Sequence, residues 1–184
     1  DSGYMSGGYG IKIEKGGGHF IDDNIGIHDN FYNGIGIIDV EDGSPSIYIG
    51  KGYVNADYGN EIFNNGRADE YVSMDGGTPG HTSAGILLES SYNVIIDCPY
   101  IYCNDTDTNS DPSVTKSQDW GIHIYEGGYH QIQAEFNPNA ANLLGQIRLY
   151  NSVLNNITID GSSPPDNCSW DNGNLVCTST GCTQ

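Results

Sequence analysis

Positive charge is scarce in this chain. Its 184 residues hold 6 Lys+Arg against 24 Asp+Glu, a formal net charge of −18. No basic patch exists to replace counterions on phosphate, so a nucleic-acid partner is excluded. The same imbalance argues against docking on an anionic membrane surface. No run of 18 apolar residues is present, and no membrane insertion is expected. Helix formers are few as well, with 7 Leu and 6 Ala against 21 Ile and 7 Val, a mix suited to pleated strands. No segment keeps helical periodicity; the nearest, Pro138–Leu144 (PNAANLL), is barely about two turns. The chain starts at Asp1 rather than Met, so a processed chain or an excised piece is expected.

Glycine and asparagine are plentiful instead, 26 and 19 residues, and provide the backbone freedom of many tight turns. A Gly followed by alternating apolar residues recurs. It reads GIKIEK from Gly10, GIGIID from Gly34, GNEIFN from Gly59, GILLES from Gly85, GIHIYE from Gly121 and GQIRLY from Gly145. The intervals are 24, 25, 26, 36 and 24 residues. A second strand-like run follows each: HFIDD (19–23), SIYIGK (46–51), EYVSMD (70–75), NVIIDC (93–98), HQIQAE (130–135) and NNITID (155–160). A third run follows in three repeats: IGIHDN (25–30), GYVNAD (52–57) and PYIYCND (99–105). Three short strands per Gly-led repeat describe one turn of a parallel β-helix, whose turns bury a shared core only when stacked. Six turns at about 4.8 Å each give a column about 29 Å tall. The alternative is an antiparallel β-sandwich, which explains the strand spacing but not the return of the same Gly-led pattern.

The segment GILLESSYNVIIDCPYIYCND (85–105) resembles a coil of the right-handed parallel β-helix proteins, the pectate-lyase-like superfamily. The likeness extends over residues 10–161 and implies a right-handed, all-β helix of about six coils. Around that domain lie an N-terminal arm, 1–9, and a Cys-containing, loop-rich tail, 162–184. Two irregular insertions, 67–82 and 105–119, precede successive glycines and are expected at one corner, where repeat proteins commonly bind or hide a subunit contact. The superfamily includes polysaccharide lyases, glycosidases, epimerases and bacteriophage tailspikes. The ordered Asn-Thr-Asp, Asp-Asp, Gly-His-Gly and Arg-x-Lys series of polygalacturonases is missing. An Arg-rich lyase site is missing too, since only Arg67 and Arg148 exist.

Alternation turns the residues one and three after each Gly inward, such as Ile11/Ile13, Ile35/Ile37, Ile86/Leu88 and Ile122/Ile124. It turns Lys12/Glu14, Gly36/Ile38, Glu61/Phe63, Leu87/Glu89 and His123/Tyr125 outward. The last repeat slips by one, with Ile147 and Leu149 inside. Glu61, Glu89, His123, Tyr125, Arg148 and Tyr150 are then expected in one outward stripe. Of these, Glu89, His123, Tyr125, Arg148 and Tyr150 are the carbohydrate-binding candidates, because phenol rings and carboxylates suit sugar rings and hydroxyls. A glycosidase needs two carboxylates about 5–9.5 Å apart, for which Glu61, Glu89 and Asp97 are the catalytic candidates. The bland reading of the stripe is an ordinary solvated strand face.

Asp105, Asp107, Asn109 and Asp111 place oxygen ligands at alternate positions, like the start of a calcium loop. Ser110 replaces the expected Gly and Lys116 the closing Glu, so a solvated acidic turn competes; no cofactor is required, and calcium is the one considered. Five cysteines leave an odd thiol; a disulfide among Cys168, Cys177 and Cys182, or between Cys98 and Cys103, would suit an extracellular protein. Asn104, Asn156 and Asn167 head glycosylation sequons.

No convincing capping helix precedes the first repeat, and Ile38, Phe63, Leu87 and Ile95 are outward and apolar. These features favour a structural and adhesive subunit of an extracellular oligomeric appendage, tailspike-like or filament-like, at a cell or virion surface. Its expected partners are copies of itself and a polysaccharide or cell-surface glycan. The alternatives are a polysaccharide-degrading glycosidase or lyase and a calcium-stabilised adhesin repeat.

Overall fold

The computed structural model describes residues 8–22, 24, 26–28, 30, 32–50, 60–66, 83–102, 118–136, 145–153, 155–158, 168–171 and 174–177. All regular structure in them is β. The strands are β1 (Tyr9–Glu14), β2 (Phe20–Ile21), β3 (Ile27–His28), β4 (Asn33–Ile38), β5 (Ile47–Ile49), β6 (Glu61–Phe63) and β7 (Ala84–Tyr92). Then come β8 (Val94–Tyr102), β9 (Trp120–Gly128), β10 (Gln131–Phe136), β11 (Gly145–Tyr150), β12 (Asn156–Thr158), β13 (Cys168–Asp171) and β14 (Asn174–Cys177).

Two sheets form. One has the order β1-β4-β7-β9-β11-β14-β13; the other runs β12-β10-β8-β5-β2, with β6 pairing both β3 and β8. Every pairing is parallel except β11 with β14 and β14 with β13. An antiparallel sandwich is therefore not what these residues build. In the first sheet, Ile11, Ile35, Ile86, Ile122 and Ile147 stand in one register row, and Ile13, Ile37, Leu88, Ile124 and Leu149 in the next. In the second, Ile21, Ile49, Ile96, Ile132 and Ile157 stand in a row. Both sets join one apolar cluster, as the alternation predicted. Burying one such side chain contributes roughly 1.5–3 kcal/mol.

The glycines have a steric cause. A Cβ on Gly34 would lie 2.7 Å from the Gly85 carbonyl oxygen, and one on Gly85 would lie 2.9 Å from that of Gly121. The chain also turns at equivalent points. Lys15, Asp39, Ser90, Glu126 and Asn151 each lie two residues after the second of these rows, and all have left-handed φ, between 46° and 64°.

Buried amides hold another corner. Asn30 Nδ2 donates to Asn65 Oδ1 at 2.9 Å, and Asn65 Nδ2 donates to Gln118 Oε1 at 3.0 Å. A second pair, Asn24 and Asn60, repeats the motif at 2.9 Å, and Asn60 Nδ2 also donates to the carbonyls of Ile21 and Gly50.

One assignment is corrected. GNEIFN (59–64) is not the opening strand of a repeat: β6 belongs with β3 and β8 in the second sheet, and β4 pairs directly with β7. Five parallel strands, not six, thus make up the Gly-led series in the first sheet. The runs at 52–57 and 70–75 lie outside the described residues, as do most of the two insertions. Part of the C-terminal tail is ordered into β13 and β14, whose register sets Cys168 opposite Cys177.

Candidate functional site

The first sheet displays two outward rows. One runs Lys12, Gly36, Leu87, His123, Arg148; the other runs Glu14, Ile38, Glu89, Tyr125, Tyr150. Glu89, Tyr125 and Tyr150 are therefore side by side, as the alternation implied. The Tyr125 and Tyr150 rings stack at 5.0 Å with planes 4° apart. Each covers a face of the other, so the pair offers mostly edges and hydroxyls to a ligand rather than an open platform. Desolvation holds the Tyr125 phenol above its ordinary pKa, and Glu126, Tyr150 and Glu89 push the same way.

His123 departs from its expected role. It is 1% exposed, with its ring edge-on to Tyr125, and cannot meet a bound sugar in this conformation. Leu87, also expected outside, is 3% exposed. Arg148 is half-buried, its guanidinium carbon 5.7 Å from the centre of the Trp120 ring. This cation–π contact uses part of the group that was expected to bind ligand.

Glu61 is displaced from the stripe altogether. It pairs in register with Tyr100 on the second sheet, and its Oε1 accepts the Tyr102 hydroxyl at 2.7 Å. Burial, reinforced by Glu61, raises the Tyr102 phenol well above its ordinary value. Glu61 and Glu89 are on different sheets, so the adjacent carboxylate pair expected of a glycosidase is not formed between them. Tyr102 instead ends an aromatic ladder, with Phe63 stacked on it at 4.9 Å and His28 on Phe63 at 4.6 Å.

Asp97, the third catalytic candidate, accepts the Tyr48 hydroxyl through Oδ2 at 2.7 Å. Around it lies a groove of about 260 Å³ on the second sheet, lined by Tyr48, Ile95, Asp97, Gln131, Gln133 and Asn156 among others. Phe20, Tyr48, Ile95, Gln131 and Asn156 form one register row; Asp97 and Gln133 are neighbours in the next. The sequence reading passed over this face, although the alternation in SIYIGK, NVIIDC and HQIQAE already placed these residues on one side.

Burial raises the Asp119 carboxyl, opposed by its hydrogen bonds with Ser83. Ser83 N–H donates to Asp119 Oδ2 and Asp119 N–H to Ser83 Oγ, both at 3.1 Å, a reciprocal clasp that ties β7 to β9. Among the described residues no group of three His, Cys, Asp or Glu could hold a metal ion. Asp105, Asp107, Asn109 and Asp111 lie outside the described residues, so the calcium expectation has no geometry to meet.

These observations define an all-β protein of parallel sheets with polar and aromatic outer faces. Comparison with family models, curated proteins and solved structures finds no match to the chain.

Proposed function

We propose that the two sheets are walls of a right-handed parallel β-helix. On this reading the chain is a structural and adhesive subunit of an extracellular oligomeric appendage, tailspike-like or filament-like, with a carbohydrate-binding face. The observation that carries it is the β1 edge. Ile11 and Ile13 begin the inward rows and are only partly buried, whereas Ile35, Ile37, Ile86, Leu88, Ile122 and Ile124 are all 0% exposed. Among the described residues no strand pairs with the outer side of β1. Such an edge is a template for another chain, and an assembled subunit would use it. No observation favours the glycosidase or lyase alternative: Glu89 is on one sheet, and its two candidate partners, Glu61 and Asp97, are on the other.

Size-exclusion chromatography with light scattering tests the reading. A trimer or polymer is expected, and Ile11→Lys with Ile13→Lys should dissociate it. A stable monomer across micromolar concentrations overturns the appendage.

A further inference from the structure

We infer that the carbohydrate site is the groove on the second sheet between Tyr48 and Asn156, extended by the neighbouring exposed ring of Phe20, and that it takes a neutral, extended oligosaccharide. The inference rests on the carbohydrate-binding reading above and gives it a location and a ligand class.

Phe20 is 79% exposed and sits 5.8 Å from Tyr48, its plane tilted by 46°, so the two rings do not blanket one another as Tyr125 and Tyr150 do. An exposed aromatic face suits the C–H face of a sugar. Beyond it, Asp97 is oriented by its bond from the Tyr48 hydroxyl. Gln131 and Asn156 are exposed and Gln133 half-exposed, and no hydrogen bond to another described residue engages their side-chain amides. Each amide carries donors and an acceptor, which matches vicinal hydroxyls.

Geometry adds a direction. The row from Phe20 to Asn156 crosses five parallel strands, each about 4.8 Å from the next, close to the length of one pyranose residue. A glycan lying along the row meets a new side chain at nearly every sugar. Charge sets the class. The groove is lined by Asp97 and no Lys or Arg, and the chain carries −18 overall. A polyuronate or sulfated glycan would be repelled, and a neutral one would not.

Calorimetry on the full chain with cellohexaose, maltohexaose, mannohexaose and xylohexaose, beside tetragalacturonate, decides the matter. At least one neutral hexasaccharide should bind. Phe20→Ala and Gln131→Ala should each weaken it about tenfold, while Tyr125→Ala and Glu89→Gln leave it unchanged. Circular dichroism melts confirm that each exposed-site variant is folded. Loss of binding only in the Tyr125 and Glu89 variants moves the site to the other sheet, overturning this inference but not the carbohydrate reading. Preference for tetragalacturonate overturns the charge argument. Failure of all five sugars overturns the site and the carbohydrate reading together, and leaves the oligomer to be judged by its mass.

Discussion

Removing one buried amide should loosen the molecule far more than its size suggests. Asn65 is 0% exposed. Its Nδ2 donates to the Ile27 carbonyl at 3.1 Å and to Gln118 Oε1 at 3.0 Å, and its Oδ1 accepts from Asn30 Nδ2 at 2.9 Å. In Asn65→Ala these three bonds vanish, and with them the longer one, 3.4 Å, from the Asn30 backbone N–H to Oδ1. Gln118 Oε1 keeps the Asn65 backbone N–H at 3.2 Å, and half-buried Asn30 can turn to water. The Ile27 carbonyl loses its amide donor, at about 1–3 kcal/mol, and the space left by the amide adds about 1 kcal/mol. The sum is about 2–4 kcal/mol. At about 2–4 °C per kcal/mol for a chain of this length, the melting temperature should fall by roughly 4–16 °C. Circular dichroism melts and urea titration measure it. In a double-mutant cycle with Gln118→Ala, the two changes should be non-additive, because they remove a shared bond. A loss under about 2 °C with additive effects would refute the claim that amides bind these corners together.

Other consequences are equally direct. His130 is 0% exposed, its Nδ1 accepts the Val94 N–H at 3.2 Å, and burial lowers its pKa to about 4 against a smaller opposing contribution from the Ser91 backbone. The fold thus favours the neutral ring: the stabilisation is complete above about pH 6.5 and is lost as pH falls towards 4, on the order of 3 kcal/mol. Urea midpoints from pH 7 to 4 should fall less steeply in His130→Gln, and parallel profiles would contradict this. Gly34→Ala forces a Cβ to within 2.7 Å of the Gly85 carbonyl oxygen and should cost about 1–3 kcal/mol in denaturant titration; an unchanged midpoint would mean that the corner is not tight. The register of Cys168 with Cys177 predicts that these two, not Cys182, form the tail disulfide under oxidising conditions. A non-reducing peptide map showing either one linked to Cys182 would contradict the register.

Much of the framework was legible because period-two alternation is read directly from residues such as Ile35/Ile37 and Ile122/Ile124. What misled was brevity. GNEIFN shows the same Gly-led alternation as an opening strand, but three paired residues do not say which sheet they join. The buried outer side of Leu87 and His123 was not legible either, since alternation gives the face of a side chain and not what covers it. Asparagine in a sequence points to turns; Asn64 does turn, with φ of 51°, whereas its neighbour Asn65 works through its side chain. The recurring left-handed position is occupied by Lys, Asp, Ser, Glu and Asn, a set with no common sequence signal. The face beside Asp97 is legible in the alternation of the second runs, which sets Tyr48, Ile95, Gln131 and Asn156 on one side.

Parallel register between distant segments underlies every row described. Solid-state NMR on labelled protein can read it through backbone contacts of Ile86 with Ile35 and Ile122, and of Ile122 with Ile147. The account predicts all three contacts in the staggered pattern of parallel strands. Their absence, or the paired pattern of antiparallel strands, would contradict it.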